Sequence, residues 1–134
     1  MKKLYIDVDG VLLTANETRA ADYVSSFIDY ITSNFDCYWL TTHCNGDITK
    51  VINHLSEYLD QEIVEKLRGK IKPTFWKTLK TEAIDFSADF YWLDDNPLRF
   101  EVDIINAKSL NDSLIVVNLN RQDELMHVMT QLKP

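Results

Sequence analysis

The chain has 134 residues, 46% of them hydrophobic and 11% aromatic, and carries a net charge of −7. That length and apolar content exclude a disordered segment and predict one domain, residues 1–134, with a core of its own. The acidic balance argues against non-specific binding to nucleic acid or to an anionic membrane, which needs a basic surface, but it leaves room for a nucleotide held through a metal.

Apolar residues and turn formers alternate along the chain in a strand–helix rhythm. The first strand is predicted at 4–8. Ala20, Tyr23, Val24, Phe27, Ile28 and Ile31 recur at helical spacing and predict a helix over 19–33. The bulky run 37–41 reads as the second strand. Asp47 is placed to cap a helix whose stripe is Ile48, Val51, Ile52, Leu55 and Leu59. A short helix over 61–68 should stop near Gly69, and 71–73 is either an edge strand or a loop. A helix is expected over 78–86, a strand at 90–93, a helix over 97–107 and a last strand at 114–119. Asn120 and Asp123 mark the start of a final helix with Leu125, Val128, Met129 and Leu132 on one face.

Nearly continuous apolar strands alternating with helices imply an α/β fold, a three-layer sandwich around a central parallel sheet. There is no internal repeat, low-complexity tract or linker. Cys37 and Cys44 are the only cysteines, so no disulfide framework is indicated and a reducing compartment fits. The apolar stretch after Lys2-Lys3 is interrupted by Asp7 and Asp9, which argues against a secretory leader. No run approaches the length of a membrane span, and the cytoplasm is the expected location.

The sharpest local signal is Asp7-Val8-Asp9-Gly10-Val11, directly after the apolar run Leu4-Tyr5-Ile6. Residues i and i+2 of a strand point the same way, so both carboxylates can aim into one crevice at the strand's carboxyl end, where open α/β sheets bind ligands. A second acidic pair, Asp94-Asp95, follows Phe90-Tyr91-Trp92-Leu93. Two strand-end acid clusters suit a hard divalent cation and a phosphate. Each cluster taken singly has an ordinary reading as a turn or cap; their recurrence at successive strand ends is what favours a site.

In these features the chain resembles the haloacid dehalogenase-like (HAD) hydrolases, through four ordered signals spread over most of its length. Asp7-Val8-Asp9-Gly10-Val11 is similar to the first motif, DxDG(T/V). Tyr38-Trp39-Leu40-Thr41 resembles the second, an apolar strand ending in Thr or Ser. Lys80 resembles the third, a lysine opening the helix before the next strand, and Asp94-Asp95 the fourth, a strand-end acidic pair. The resemblance implies a single HAD-like domain with the first strand central, flanked by those at 37–41 and 90–94. The interval between Asp9 and Thr41, and that between Thr41 and Lys80, are too short for a full inserted cap domain, so the site should be open.

The resemblance also implies roles. Asp7 would be the nucleophile that forms an aspartyl-phosphate. Asp9 would protonate the leaving oxygen and then activate water. Thr41 would hydrogen-bond a phosphoryl oxygen, and Lys80 would offset charge around the nucleophile. Mg²⁺ would be held by Asp7, the Asp9 carbonyl and an acid of Asp94-Asp95, with Asp95 the first choice; all-oxygen ligation suits that ion. Thr42 competes with Thr41, and Lys77 with Lys80. Where the family often places a further acid this chain has Phe100, with Glu101 and Asp103 nearby. The activity implied is that of a Mg²⁺-dependent phosphatase acting on a phosphorylated small molecule, nucleotide or macromolecule. A non-catalytic domain that keeps the metal site, and a phosphotransferase on the same scaffold, are the alternatives.

His43 and Cys44 stand at a strand end, but neighbours in sequence seldom form a catalytic or metal pair, and a place at the pocket mouth is the simpler expectation. His54 and His127 fall in helical segments and read as structural or surface residues. Trp39, Trp76 and Trp92 read as packing residues rather than a base-stacking platform.

Overall fold

The computed structural model describes residues 1–134. Five short strands, β1 (Lys3–Ile6), β2 (Asp36–Trp39), β3 (Ile71–Lys72), β4 (Phe90–Asp94) and β5 (Leu114–Val116), form one parallel sheet in the order β3-β2-β1-β4-β5. β1 is central: Lys3 pairs with Asp36 of β2 on one side and with Phe90 of β4 on the other. The segment at 71–73 is thus an edge strand, and its Pro73 lies beyond the pairing, where a missing N–H costs nothing.

Five helices cover the sheet: α1 (Val24–Asn34), α2 (Thr49–Ser56), α3 (Gln61–Leu67), α4 (Arg99–Ala107) and α5 (Glu124–Gln131). Strand alternation sorts the core into two layers. Leu4 and Ile6 of β1, Cys37 and Trp39 of β2 and Leu93 of β4 face one side and join α1, α2, α3 and α5 in a cluster of 27 buried residues. Tyr5, Leu40, Phe90 and Trp92 face the other side and meet Ile84 and Ile105 in a cluster of 6. The fold is therefore a three-layer α/β sandwich with unequal outer layers. Trp39 and Trp92 are fully buried core residues, as expected. No helix is long and apolar enough to cross a membrane.

Three elements depart from expectation. The helix predicted over 19–33 begins only at Val24, because residues 9–21 fold back as a turn instead. Leu13 bridges both Asp9 and Ala20, the Ala21 N–H donates to the Leu12 carbonyl, and Tyr23 takes a left-handed φ of 66°. The helix expected over 78–86 contracts to one 3-10 turn, Lys80–Ala83. Its cause is Glu82, whose carboxylate collects the N–H groups of Lys77, Thr78 and Leu79 and ties the chain into a turn. The last strand stops at Val116 rather than 119, since the Asn118 N–H turns to the Glu124 carboxylate. Asp123 precedes α5 in a left-handed conformation and makes no side-chain cap.

Candidate functional site

The carboxyl end of β1 is shaped by a tight turn. The Val8 carbonyl accepts the N–H groups of Val11, Leu12 and Leu13, and Gly10 adopts φ +83°, a region open to glycine at little cost. That turn leaves Asp7 and Asp9 at the strand end. Asp94 and Asp95 close the adjacent β4, and Thr41 follows β2.

Lys80 ties together the acids at the ends of two adjacent strands, β1 and β4. Its Nζ lies 2.9 Å from Asp7 Oδ2 and 2.6 Å from Asp94 Oδ2, and all three side chains are largely withdrawn from water. Burial works against the ammonium, but the two carboxylates outweigh it and raise its pKa, so Lys80 stays charged. Burial is also the main influence on Asp7 and pushes its carboxyl up to about 6; Lys80 opposes that shift and Asp94 adds to it. Asp95 is pushed up by burial and by the Asp94 charge. The oxygens of Asp7, Asp94 and Asp95 lie within 4.8 Å of one another, close enough to share one cation. With Lys80 neutralising only one of three acids, the cluster keeps an excess of negative charge.

Asp9 shares the strand end with Asp7 but not its partners. One carboxylate oxygen lies 2.8 Å from His43 Nε2 and the other 2.9 Å from His54 Nε2. Burial would raise the Asp9 pKa, but the two imidazoles hold it below the usual carboxylate range. An ionised carboxylate only accepts hydrogen bonds, so each Nε2 carries the proton in this arrangement. The two rings stack with centroids 4.2 Å apart.

The remaining sequence-singled residues sort as follows. Thr41 is fully buried, with its Oγ1 3.4 Å from the His43 N–H, whereas Thr42 is exposed. Lys77 is exposed and stands apart from the acids that Lys80 joins. Asp103 faces solvent near Arg99, 3.8 Å away, and Phe100 is 73% exposed. Cys44 is buried and directs its Sγ to the Thr74 carbonyl, so it makes no pair with His43.

Two residues enter the site in roles that sequence reasoning did not give them. His54, expected to be structural or superficial, reaches Asp9 from α2. Glu101, 2% exposed, accepts the Lys80 N–H at 2.6 Å and the Leu98 N–H at 2.8 Å. It fixes the backbone that carries Lys80 and starts α4 at the same time. No local pattern ties Glu101 to the Lys80 N–H or His54 to Asp9.

Beside the acid cluster lies an open cavity of about 720 Å³ that touches it at Gly10 and Asp95. Arg19, Asn118 and Arg121 also line it. The cavity has room for a ligand too large for the acid cluster alone.

The arrangement is thus a strand-end carboxylate site on a parallel α/β sandwich, with one buried cation. Compared with protein-family models, curated proteins and solved structures, the chain matches none.

Proposed function

We propose that this protein is a Mg²⁺-dependent phosphomonoester hydrolase of the haloacid dehalogenase-like type, with Asp7 as nucleophile. The observation that carries the reading is the buried Asp7–Lys80–Asp94 arrangement at the carboxyl ends of two adjacent central strands. A largely buried carboxylate of raised pKa at a strand's carboxyl end, steadied by a fixed ammonium, is suited to attack an electrophile.

In this reading an Asp7 oxygen bonds to phosphorus as the ester P–O bond breaks, and the leaving oxygen takes a proton from Asp9. Asp9, again a carboxylate, then accepts a proton from water as that water attacks phosphorus. The Asp7–phosphate bond breaks and inorganic phosphate leaves. Asp9 is held ionised in the free protein, so it takes up a proton from solvent before it serves as the acid, and the attacking water returns that proton to it for the next cycle. Lys80 balances the growing charge near Asp7. The Thr41 hydroxyl, buried beside the strand end, is the group offered to a phosphoryl oxygen. Asp7, Asp94 and Asp95 present only oxygen donors, which fits Mg²⁺. Bound there, the ion would let an anionic nucleophile meet an anionic phosphate. Arg19 and Arg121, paired with Asp22 and Glu124, line the cavity together with Glu17 and Asp95, so its charge is mixed.

Phosphate release from a broad panel of phosphomonoesters with Mg²⁺ tests the activity. Fluorine NMR with Mg²⁺ and beryllium fluoride tests the nucleophile: a bound trifluoroberyllate signal is expected for wild type and not for Asp7→Asn. Absence of turnover on every ester together with absence of that signal would assign the chain a non-catalytic role.

A further inference from the structure

We infer that Asp9, His43 and His54 form a second metal site, selective for a nitrogen-loving divalent cation such as Zn²⁺ or Co²⁺ and distinct from the all-oxygen cluster of Asp7, Asp94 and Asp95. Three separate segments deliver these ligands: the turn after β1, the loop after β2, and α2. Residues 34 and 45 positions away in sequence from Asp9 both arrive with Nε2 at its carboxylate. The candidate ligand atoms all lie within 4.8 Å of one another.

The spacing fits ligation. Zinc binds imidazole nitrogen and carboxylate oxygen tetrahedrally at about 2.0–2.2 Å, so two such ligands stand about 3.4 Å apart, and the hydrogen-bonded pairs here need to open by only about half an ångström to admit the ion. The observed N···O separations are 2.8 and 2.9 Å. Two imidazoles with one carboxylate form a donor set that takes Zn²⁺, Co²⁺ or Fe²⁺ in preference to Mg²⁺, whereas the neighbouring three-carboxylate cluster has the opposite preference. No lysine or arginine contacts the Asp9 carboxylate, so its charge is unopposed except by histidines that can exchange a proton for a metal.

The stacked rings, inclined by 21°, run side by side onto the two Asp9 oxygens. Seating one ion between them needs each ring to swing about its side-chain torsions until the two nitrogens converge. The His43 and His54 side chains are 29% and 23% exposed, so neither is locked in the core. The same exposure leaves open positions on the ion for water or a further ligand. An ion seated here occupies the Asp9 oxygens, and metal binding and proton transfer by Asp9 exclude one another.

The chain has only three histidines, and His127 is exposed on α5, which supplies an internal control. Zn²⁺ is titrated into the ¹⁵N-labelled 134-residue chain in Mg²⁺-containing buffer, and the imidazole nitrogen resonances are followed. The expected result is saturation at one equivalent, with His43 and His54 shifting together and His127 unmoved. Co²⁺ should give a visible absorption band that Zn²⁺ displaces. His54→Ala and His43→Ala should each lose the band, while Asp7→Asn keeps it. Circular dichroism checks that the variants fold, and the wild-type NMR result stands without them. Failure of His43 and His54 to shift at one equivalent, equal shifts at His127, or a Co²⁺ band retained in His54→Ala would each overturn the site. None of these readouts requires phosphatase activity.

Discussion

Gly10 leaves the space that the Asp95 side chain occupies: a Cβ at position 10 would fall within the Asp95 carboxyl group. The glycine also sits at φ +83°. Gly10→Ala is therefore doubly penalised, by backbone strain and by displacement of Asp95. A loss of about 1–3 kcal/mol in stability is expected, measured by urea unfolding. If Asp95 ligates Mg²⁺, the rise in melting temperature produced by millimolar Mg²⁺ in wild type should shrink in this variant.

Asp7 carries a pH signature. Its carboxyl is held near 6 in the folded protein against 3.8 for the unperturbed group. Below pH 3.8 it is protonated in both states, and the benefit of burying the neutral acid is fully present. As pH rises to 6 the unfolded chain ionises first, and that benefit is lost. In metal-free buffer Asp7→Asn should thus be more stable than wild type at pH 7, by up to about 3 kcal/mol, and the difference should close by pH 4. Melting curves of both proteins across this range measure it. The same variant should have no measurable phosphate release.

Lys80→Met removes the cation between two buried acids. Breaking a buried ion pair by deleting one partner costs about 3–5 kcal/mol. Denaturant unfolding at pH 7 should show that loss, and it should diminish at pH 5 as Asp7 protonates. Added Mg²⁺ should restore part of it, because a second cation then faces the same oxygens.

Glu101→Ala leaves the N–H groups of Lys80 and Leu98 without their acceptors. The part-buried Lys80 N–H left unpaired costs about 1–3 kcal/mol, while that of Leu98, 54% exposed, can turn to water. The Lys80 ammonium should lose its fixed position, so kcat is expected to fall more than KM rises. Glu101→Gln retains a side-chain acceptor oxygen and should lie between wild type and Glu101→Ala on both scales.

Much of this fold is legible because strands buried on both faces must be apolar throughout. Leu4-Tyr5-Ile6 and Phe90-Tyr91-Trp92-Leu93 admit few other readings, and the acids that end them announce a site. What escaped has a physical reason in each case. Ala20 keeps helical spacing with α1, yet its bridge to Leu13 claims it for a turn, and such pairing leaves no periodic trace. Residues 78–86 have helix-compatible composition, but the Glu82 side chain competes for the local N–H groups. His54 was hidden by its own helix: the stripe Val51, Ile52 and Leu55 explains why α2 packs, not what its neighbouring face overlooks. Lys80 could be singled out by resemblance alone; its distance from Asp7 belongs to the folded chain.

The unequal layers of the sandwich bear on how the molecule breathes. Asp7 and Asp94 are rooted in strands braced by the 27-residue cluster, while Lys80 rides on the side held by only 6 buried residues. Proteins open in parts, and the thinly anchored part opens at lower free energy. Amide exchange should therefore be faster around the Lys80–Ala83 turn than in β1. Each such excursion withdraws the ammonium while the carboxylates stay fixed, so the electrostatic balance of the site fluctuates with the lifetime of a single turn.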